Sequence, residues 1–128
     1  MHRDDIISRY EAGERDFSGF DLAEIDLNEV DLTGVDLSEA NLSNANLSVA
    51  KLEGSNLSGA NLRGANVSGA ILTGSNLSQT DLSGADLSWA NLSRVNLTEA
   101  NLTGANIKMA IILGTRFRDT IMPDGTIR

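Results

Sequence analysis

The chain has 128 residues and a formal net charge of −8, with 41% hydrophobic and 22% charged residues, an ordinary balance for one globular domain. It contains no cysteine and one histidine, which excludes disulfides, thiolate metal sites, zinc-binding histidine pairs and a histidine-centred triad. No basic segment leads into an apolar run, and no stretch approaches about 18 apolar residues. We therefore expect no signal peptide, no membrane span and a cytoplasmic location.

Residues 1–14 carry the signals of a short helix. Acidic residues stand near its start and Gly13 offers a stop, which predicts a helix over Arg3 to Ala12. The side chains that would share one apolar face are Ile6, Ile7 and Tyr10. We predict that this helix caps the first coil of the segment that follows it.

From residue 15 onward the sequence repeats every five residues. Starting at Phe17 and stepping by five, 23 consecutive positions to Ile127 are apolar, most of them leucine, without an insertion. The residue before this position is Asp or Asn at 17 of the 23, and the unit reads Ala-(Asn/Asp)-Leu-(Ser/Thr)-Gly. We number these five places as positions one to five.

A period of five fits neither regular element. In an α-helix the leucines would spiral around the axis, and in a flat strand they would alternate between faces. A chain that turns a corner every five residues directs each leucine and alanine inward, and small or turn-forming residues suit its corners. Stacked coils would bury the leucines together and pair about 4.8 Å apart.

These copies of A(D/N)LXX resemble the pentapeptide-repeat protein family over roughly Asp16 to Ile127. The resemblance implies an all-β fold, a right-handed quadrilateral β-helix with four pentapeptides per coil. Residues 15–128 would then form nearly six coils, a rod roughly 25–30 Å long. Pro123 and the arginines of residues 116–128 predict a blunted second end without an amphipathic helix.

Some members of that family confer quinolone resistance or bind DNA gyrase, and are thought to imitate duplex DNA. Residues 1–40 hold twelve acids and three arginines, whereas residues 41–128 hold six acids and seven bases. Duplex DNA of the same length would carry about 16 evenly spread charges. An acidic DNA mimic acting on gyrase or another topoisomerase is therefore the alternative to our main prediction, and no basic surface predicts direct nucleic-acid binding.

The polar residues do not predict an enzyme. The first five position-two aspartates should lie on successive sides of a coil and point apart, whereas a metal site needs convergent ligands; they are Asp16, Asp21, Asp26, Asp31 and Asp36. The serines and threonines are repeat positions without a neighbouring base. We predict no catalytic residue, no metal and no cofactor.

The residues that depart from the repeat are more informative about function than the polar residues that follow it. Residues twenty apart should stack, and on one side of the rod apolar residues replace the usual Gly, Asp, Asn, Ser or Thr. We call these residues the apolar stripe, and all are predicted to face outward. They are Val49, Ile71, Trp89, Met109, Ile111 and Leu113.

We predict a non-catalytic, rigid protein-interaction or scaffold module. The chain is expected to be a monomer that binds a protein partner through the Trp89 side, with self-association through the same side as a further option. Two alternatives to a binding role for the stripe stay open. The C-terminal tail or the cap could cover it, at the Ile111 and Leu113 end first, or drift among the repeats could have made one side apolar without function.

Overall fold

The computed structural model describes residues 1–128 and consists of one helix followed by a four-sided coil. Helix α1 spans Arg3–Glu11 and is neither long nor apolar enough to cross a membrane. From Asp16 onward the strands are reduced to single bridged residues, and each position-two residue pairs in parallel with the residue twenty positions later. This register runs from the Asp16–Asp36 pair to the Asn101–Ile121 pair, so four repeats make one coil.

Positions one and three of the repeat form the core. The leucine at position three is almost fully buried from Leu22 to Leu102, and the alanine, valine, serine or threonine at position one lies beside it. The hydrophobic side chains at these positions, together with Ile6 of α1, form one cluster of 33 buried residues that runs along the rod. Because each coil is too thin to bury its own leucines, the core depends on the stacking of neighbouring coils.

Each corner is a tight turn with a left-handed residue at position five. The carbonyl of Leu22 accepts a hydrogen bond from the N–H of Ile25 at 3.2 Å, and this bond recurs around the rod. Every position-five residue from Gly19 to Asp119 has a positive φ, as the third residue of a type II turn requires. Glycine adopts this conformation without a steric penalty, which explains its frequency there.

Position two prefers Asp or Asn because its side chain completes the corner. Oδ1 of Asp16 accepts a hydrogen bond from the backbone N–H of Ser18 at 3.0 Å and from its hydroxyl at 2.6 Å. The N–H bond to position four recurs at every Asp or Asn in position two, from Asp16 to Asn106. These side chains are structural groups that satisfy an outward N–H.

Helix α1 covers the first coil. Ile6 is fully buried in the core cluster, and the Tyr10 hydroxyl donates to the carbonyl of Thr33 at 2.6 Å. The helix ends in a Schellman motif, since the N–H of Glu14 bonds to the carbonyl of Arg9 and Gly13 has φ 98. The helix expected from the sequence therefore forms, and its apolar face closes one end of the rod.

The C-terminal end differs from the sequence expectation. The spacing of five fades out at Met122 and Ile127 in the sequence, and the chain leaves the coil after Pro123, so that Ile127 is 64% exposed. Ile127 instead forms an antiparallel bridge with Ile121, and Thr120 and Arg128 exchange two backbone hydrogen bonds. The turn at Gly125 allows this hairpin to fold back and cover one part of the last coil.

Replacing Leu57 with Asp tests the register of the core. Leu57 is 1% exposed in the middle of the column, so we expect the variant to be unfolded at room temperature. An unpaired buried carboxylate costs several kcal/mol, a large part of the total stability of a small domain. Circular dichroism melting measures the effect. The control is Ser58→Asp on the adjacent outward position, and equal melting of the two variants would contradict the register.

One buried polar atom in the core has no partner. The hydroxyl of Ser55 is buried without a hydrogen bond, whereas Ser75, one coil later in the same column, donates to the carbonyl of Leu72 at 2.6 Å. Both residues occupy position one, where alanine is the commonest choice. The two serines therefore form a matched pair, one satisfied and one unsatisfied.

We expect Ser55→Ala to raise the free energy of unfolding by about 1 kcal/mol, because it removes a buried hydroxyl that has no partner. Ser75→Ala loses a hydrogen bond together with its hydroxyl, so it should be neutral or slightly destabilising. Chemical denaturation of the two variants and the parent gives the comparison. A larger stabilisation from Ser75→Ala than from Ser55→Ala would contradict this assignment.

Candidate functional site

The apolar stripe lies on one side of the rod and on the corner that leads into it. Val49, Trp89 and Met109 stack at the corner, and Trp89 is 66% exposed. Ile71 and Ile111 follow at position two of this side; Ile111 is exposed and Ile71 is half-buried. Leu113, at position four, is 75% exposed. All six side chains face outward as predicted, although neighbouring residues shield part of Ile71.

The corner residues of the stripe adopt a conformation that their side chains disfavour. Val49, Trp89 and Met109 have φ values of 57, 62 and 61, in the left-handed region. A β-branched or bulky residue is a genuine outlier there. At the other corners, every position five that is not glycine carries a polar residue, namely Glu, Asn, Gln, Arg or Asp. All three apolar residues in this strained conformation therefore share one corner of the rod.

The same side also departs from the rule at position two. Lys51, Ile71 and Ile111 occupy this position on the Trp89 side, whereas the three other sides carry only Asp or Asn from residue 16 to residue 106. Their side chains offer no oxygen to the N–H of position four. The N–H groups of Thr73 and Leu113 accordingly make no hydrogen bond within the chain. Two local rules of the repeat are thus broken on one side of the rod.

The C-terminal tail does not cover the stripe. Coverage of the Ile111 and Leu113 end by the tail was one of the open alternatives; the tail instead folds over a different part of the last coil, and both side chains stay exposed. The Arg128 guanidinium lies over the Phe117 ring at 4.3 Å, away from the Trp89 side. Helix α1 packs on the first coil at the opposite end of the rod.

Sequence reasoning missed one exposed residue beside the stripe. Ile112 occupies position three, where the repeat predicts an inward side chain, yet it is 41% exposed. No residue from a later coil stacks on it. Its exposure extends the apolar surface of the Trp89 side onto the open end of the rod. Counting coils from the sequence could have identified it as the last member of its column.

Charged side chains flank the stripe without partners in the chain. Lys108 precedes Met109 at the leading corner, and Arg94 lies at the far corner of the same side. The ion pairs of the molecule join Arg3 to Asp26, Arg9 to Glu14 and Arg63 to Asp81, and so leave Lys108 and Arg94 unpaired. Toward α1 the same side carries Glu29 and Glu53, which are also exposed and unpaired. The stripe thus has an acidic end and a basic end.

The carboxylates at position two, including Asp31 on the Trp89 side, are engaged in the corners. The hydroxyl and N–H of Ser18 hold the pKa of Asp16 below its usual range, and those of Thr33 do the same for the pKa of Asp31. Hydrogen bonding to the charged form is the cause of both shifts. No group of three acidic or histidine side chains converges on a point where a metal ion could bind.

Comparison with known proteins agrees with this architecture. The sequence profile described as Pentapeptide repeats matches residues 16–48, 40–79 and 80–119 in 8 copies, so the chain belongs to the pentapeptide-repeat family. Its fold is the right-handed quadrilateral β-helix that the resemblance implied. No curated protein matches the sequence.

Several solved structures resemble this one. A pentapeptide repeat protein from the thylakoid lumen of Arabidopsis thaliana is 38% identical, with a TM-score of 0.74 over 79% of this chain and 70% of that one. A pentapeptide repeat protein from Nostoc PCC 7120 is 33% identical, with a TM-score of 0.51 over 90% of this chain and 94% of that one. A plasmid-mediated fluoroquinolone resistance protein is 19% identical over 84% of this chain and 67% of that one, with a TM-score of 0.50, a likeness of fold alone.

The exchange Ile71→Asn tests whether the stripe departs from the repeat at a cost to stability. The introduced asparagine would offer an oxygen to the N–H of Thr73, so we expect the free energy of unfolding to rise by about 0.5–1 kcal/mol. The reciprocal variant Asn91→Ile removes the 3.0 Å bond from the N–H of Ser93 and should lower it by a similar amount. Thermal and chemical denaturation measure both. A less stable Ile71→Asn variant would show that Ile71 is needed for packing.

Proposed function

We propose that this protein is a non-catalytic interaction module whose binding surface is the apolar stripe. The observation that carries the proposal is that the outward-facing apolar residues that depart from the repeat are concentrated on one side of the rod. Three apolar residues in left-handed conformations lie on one corner, and two isoleucines stand at position two of the adjoining side, while the other sides keep Asp or Asn at position two from residue 16 to residue 106. Drift among repeats would distribute such exceptions over all four sides.

The stripe lowers stability without helping the fold. A non-glycine residue in the left-handed region costs about 1–2 kcal/mol, and a lost hydrogen bond about 1 kcal/mol. Apart from the half-buried Ile71, the side chains that cause these losses are exposed, so burial in the core does not offset them. Strain retained at exposed positions is typical of functional sites, and exposed apolar residues around a tryptophan are typical of protein contacts.

The distribution of polar groups favours this role over catalysis and over DNA mimicry. The carboxylates at position two accept hydrogen bonds within their own corners, which accounts for them without a catalytic function. The acidic side chains concentrate in residues 1–40, and residues 41–128 are close to neutral. A DNA mimic would instead need negative charge along the whole rod.

The experiment is crosslinking in extracts of the cells that make the protein, with a tagged chain carrying Trp89→Glu. We expect the parent to form at least one specific protein crosslink that this variant loses, because the charge prevents burial of the corner. The matched control is Asn44→Glu, which adds the same charge at the same turn position of another corner. Circular dichroism melting confirms that both variants are folded.

Two results would overturn the proposal. One is an identical set of crosslinks for Trp89→Glu and the parent. The other is equal loss of the crosslinks in Asn44→Glu, which would mean that added charge, and not the stripe, is responsible.

A further inference from the structure

We propose that the open edge of the last coil, on the Trp89 side, binds an extended acidic segment of another protein, which adds a β-strand to the rod. This inference rests on the proposed function and names the form of the partner that the stripe meets. It follows from three backbone groups that are hydrogen-bonded in every earlier coil of this side and free in the last one.

Between coils, two alternate residues of each side bond to the side beneath them. Ile111 donates its N–H to the carbonyl of Ala90 at 2.9 Å, and its own carbonyl accepts from the N–H of Leu92 at 2.8 Å. The carbonyl of Leu113 accepts from the N–H of Arg94 at 2.9 Å. An extended strand presents alternate residues to its neighbour in this way. Each coil therefore adds one short strand segment to the preceding coil.

The equivalent groups of the last coil lack such a segment. The carbonyl of Ala110 and the N–H groups of Ile112 and Gly114 make no hydrogen bond within the chain. Unpaired groups at the edge of a sheet are a template for strand addition by another chain. A strand placed there would make three hydrogen bonds and would set one side chain over Ile112, as the register sets Ile112 over Leu92.

The tail of the molecule fills the same kind of edge on another side. The N–H of Arg128 donates to the carbonyl of Thr120 at 2.9 Å, and the N–H of Met122 donates to the carbonyl of Thr126 at 2.7 Å. Thr120 and Met122 stand at positions one and three, the positions whose carbonyl and N–H stay free on the Trp89 side. A short extended segment is therefore a suitable occupant for an edge of this rod.

Two other sides also end in free edges, and the tail partly shields both. Ile107 lines a surface pocket together with residues of the tail, and the guanidinium of Arg128 lies over the ring of Phe117 at 4.3 Å. Ile107 and Phe117 are half-buried, whereas Ile112 is 41% exposed. The edge on the Trp89 side is thus the one where an incoming strand buries the most apolar surface, and it continues into the stripe.

The charge around the open edge favours an acidic segment. Residues 105–128 hold four basic and two acidic residues, a net charge of +2, whereas residues 1–104 hold six basic and sixteen acidic residues, a net charge of −10. Lys108 precedes the open edge and Arg116 follows it, and both are exposed without an ion pair in the chain. Acidic residues on both flanks of the added strand would pair with them.

The acidic segment of this chain cannot supply that strand. The acidic side chains concentrate in residues 1–40, which form α1 and the first coil. The first coil already pairs with the second through bridges such as Asp16–Asp36 and Asp31–Lys51, and α1 packs on its other edge through Tyr10. The added strand therefore belongs to a different protein.

The first test uses isotope-labelled protein and the synthetic peptide acetyl-Glu-Glu-Thr-Val-Thr-Glu-Glu-amide. We expect hydrogen exchange at the amides of Ile112 and Gly114 to slow about fivefold at saturating peptide, because both become donors to its backbone. The amides of Phe117 and Asp119, which are free on another side, are the internal control. Unchanged exchange at Ile112 and Gly114, or equal slowing of all four amides, would overturn the site.

A second peptide tests whether the backbone makes the contact. It carries N-methyl groups on both threonines and keeps the side chains and charges of the first peptide. We expect it not to bind, because the methylated nitrogens cannot donate and their methyl groups keep the strand from the edge. Chemical-shift titration measures both peptides. Equal affinity would mean that charge or apolar contact alone holds the peptide, and strand addition would be wrong.

Charge reversal tests the placement of the peptide. Lys108→Glu should weaken binding about fivefold, because an attraction to the acidic flank becomes a repulsion. The matched control is Lys51→Glu, which makes the same change on the same side, three coils from the open edge. It should bind the peptide like the parent. Equal weakening by the two variants would contradict the placement.

Sedimentation without peptide distinguishes a foreign strand from a second copy of the chain. We expect a monomer, and a dimer in which the amides of Ile112 and Gly114 are protected would overturn this inference. Failure of the peptide to bind, with Trp89-dependent crosslinks retained in extracts, also overturns it but leaves the proposed function standing. Absence of both overturns both.

Discussion

The fold depends on the corner that closes every fifth residue. A carbonyl at position three bonds to the next position one, position five turns into the left-handed region, and the Asp or Asn at position two holds the N–H of position four. Together these constraints return the chain to the same place after twenty residues. The parallel ladder and the continuous leucine column follow, because only coils of equal size can stack in register.

Because the corner is so restrictive, each departure from the repeat has a measurable physical effect. A polar residue at position five keeps its side chain in water, and the strain of its backbone is the main cost. An apolar residue there adds exposed apolar surface to the same strain. Val49, Trp89 and Met109 combine both effects on one corner, and Ile71 and Ile111 on the adjoining side forgo a hydrogen bond that the Asp or Asn residues at position two make. The regular part of the rod thus serves as the reference against which the Trp89 side is recognised as different.

The core would be exposed at both ends of the rod, and the two ends cover it in different ways. At the first coil, Ile6 of α1 covers the core and Tyr10 bonds to the backbone beneath it. At the last coil, the hairpin between Ile121 and Ile127 covers one part and leaves Ile112 exposed beside the stripe. Apolar surface is therefore concentrated at the C-terminal half of the Trp89 side, while negative charge is concentrated near α1.

From the sequence, the period of five predicts a chain that turns a corner every five residues and an inward column, because neither a helix nor a flat strand can bury leucines at that spacing. Four sides per coil, and with them the six residues of the stripe, followed from the resemblance to the pentapeptide-repeat family. The sequence also predicted the capping helix from local signals around Asp4 and Gly13. The tertiary structure decided where the column ends, since Ile127 has the right spacing but the hairpin at Gly125 directs it away. It likewise decided that the tail leaves Ile111 and Leu113 open. Spacing determines which residues can stack, whereas the path of the last residues depends on long-range hydrogen bonds such as those between Thr120 and Arg128.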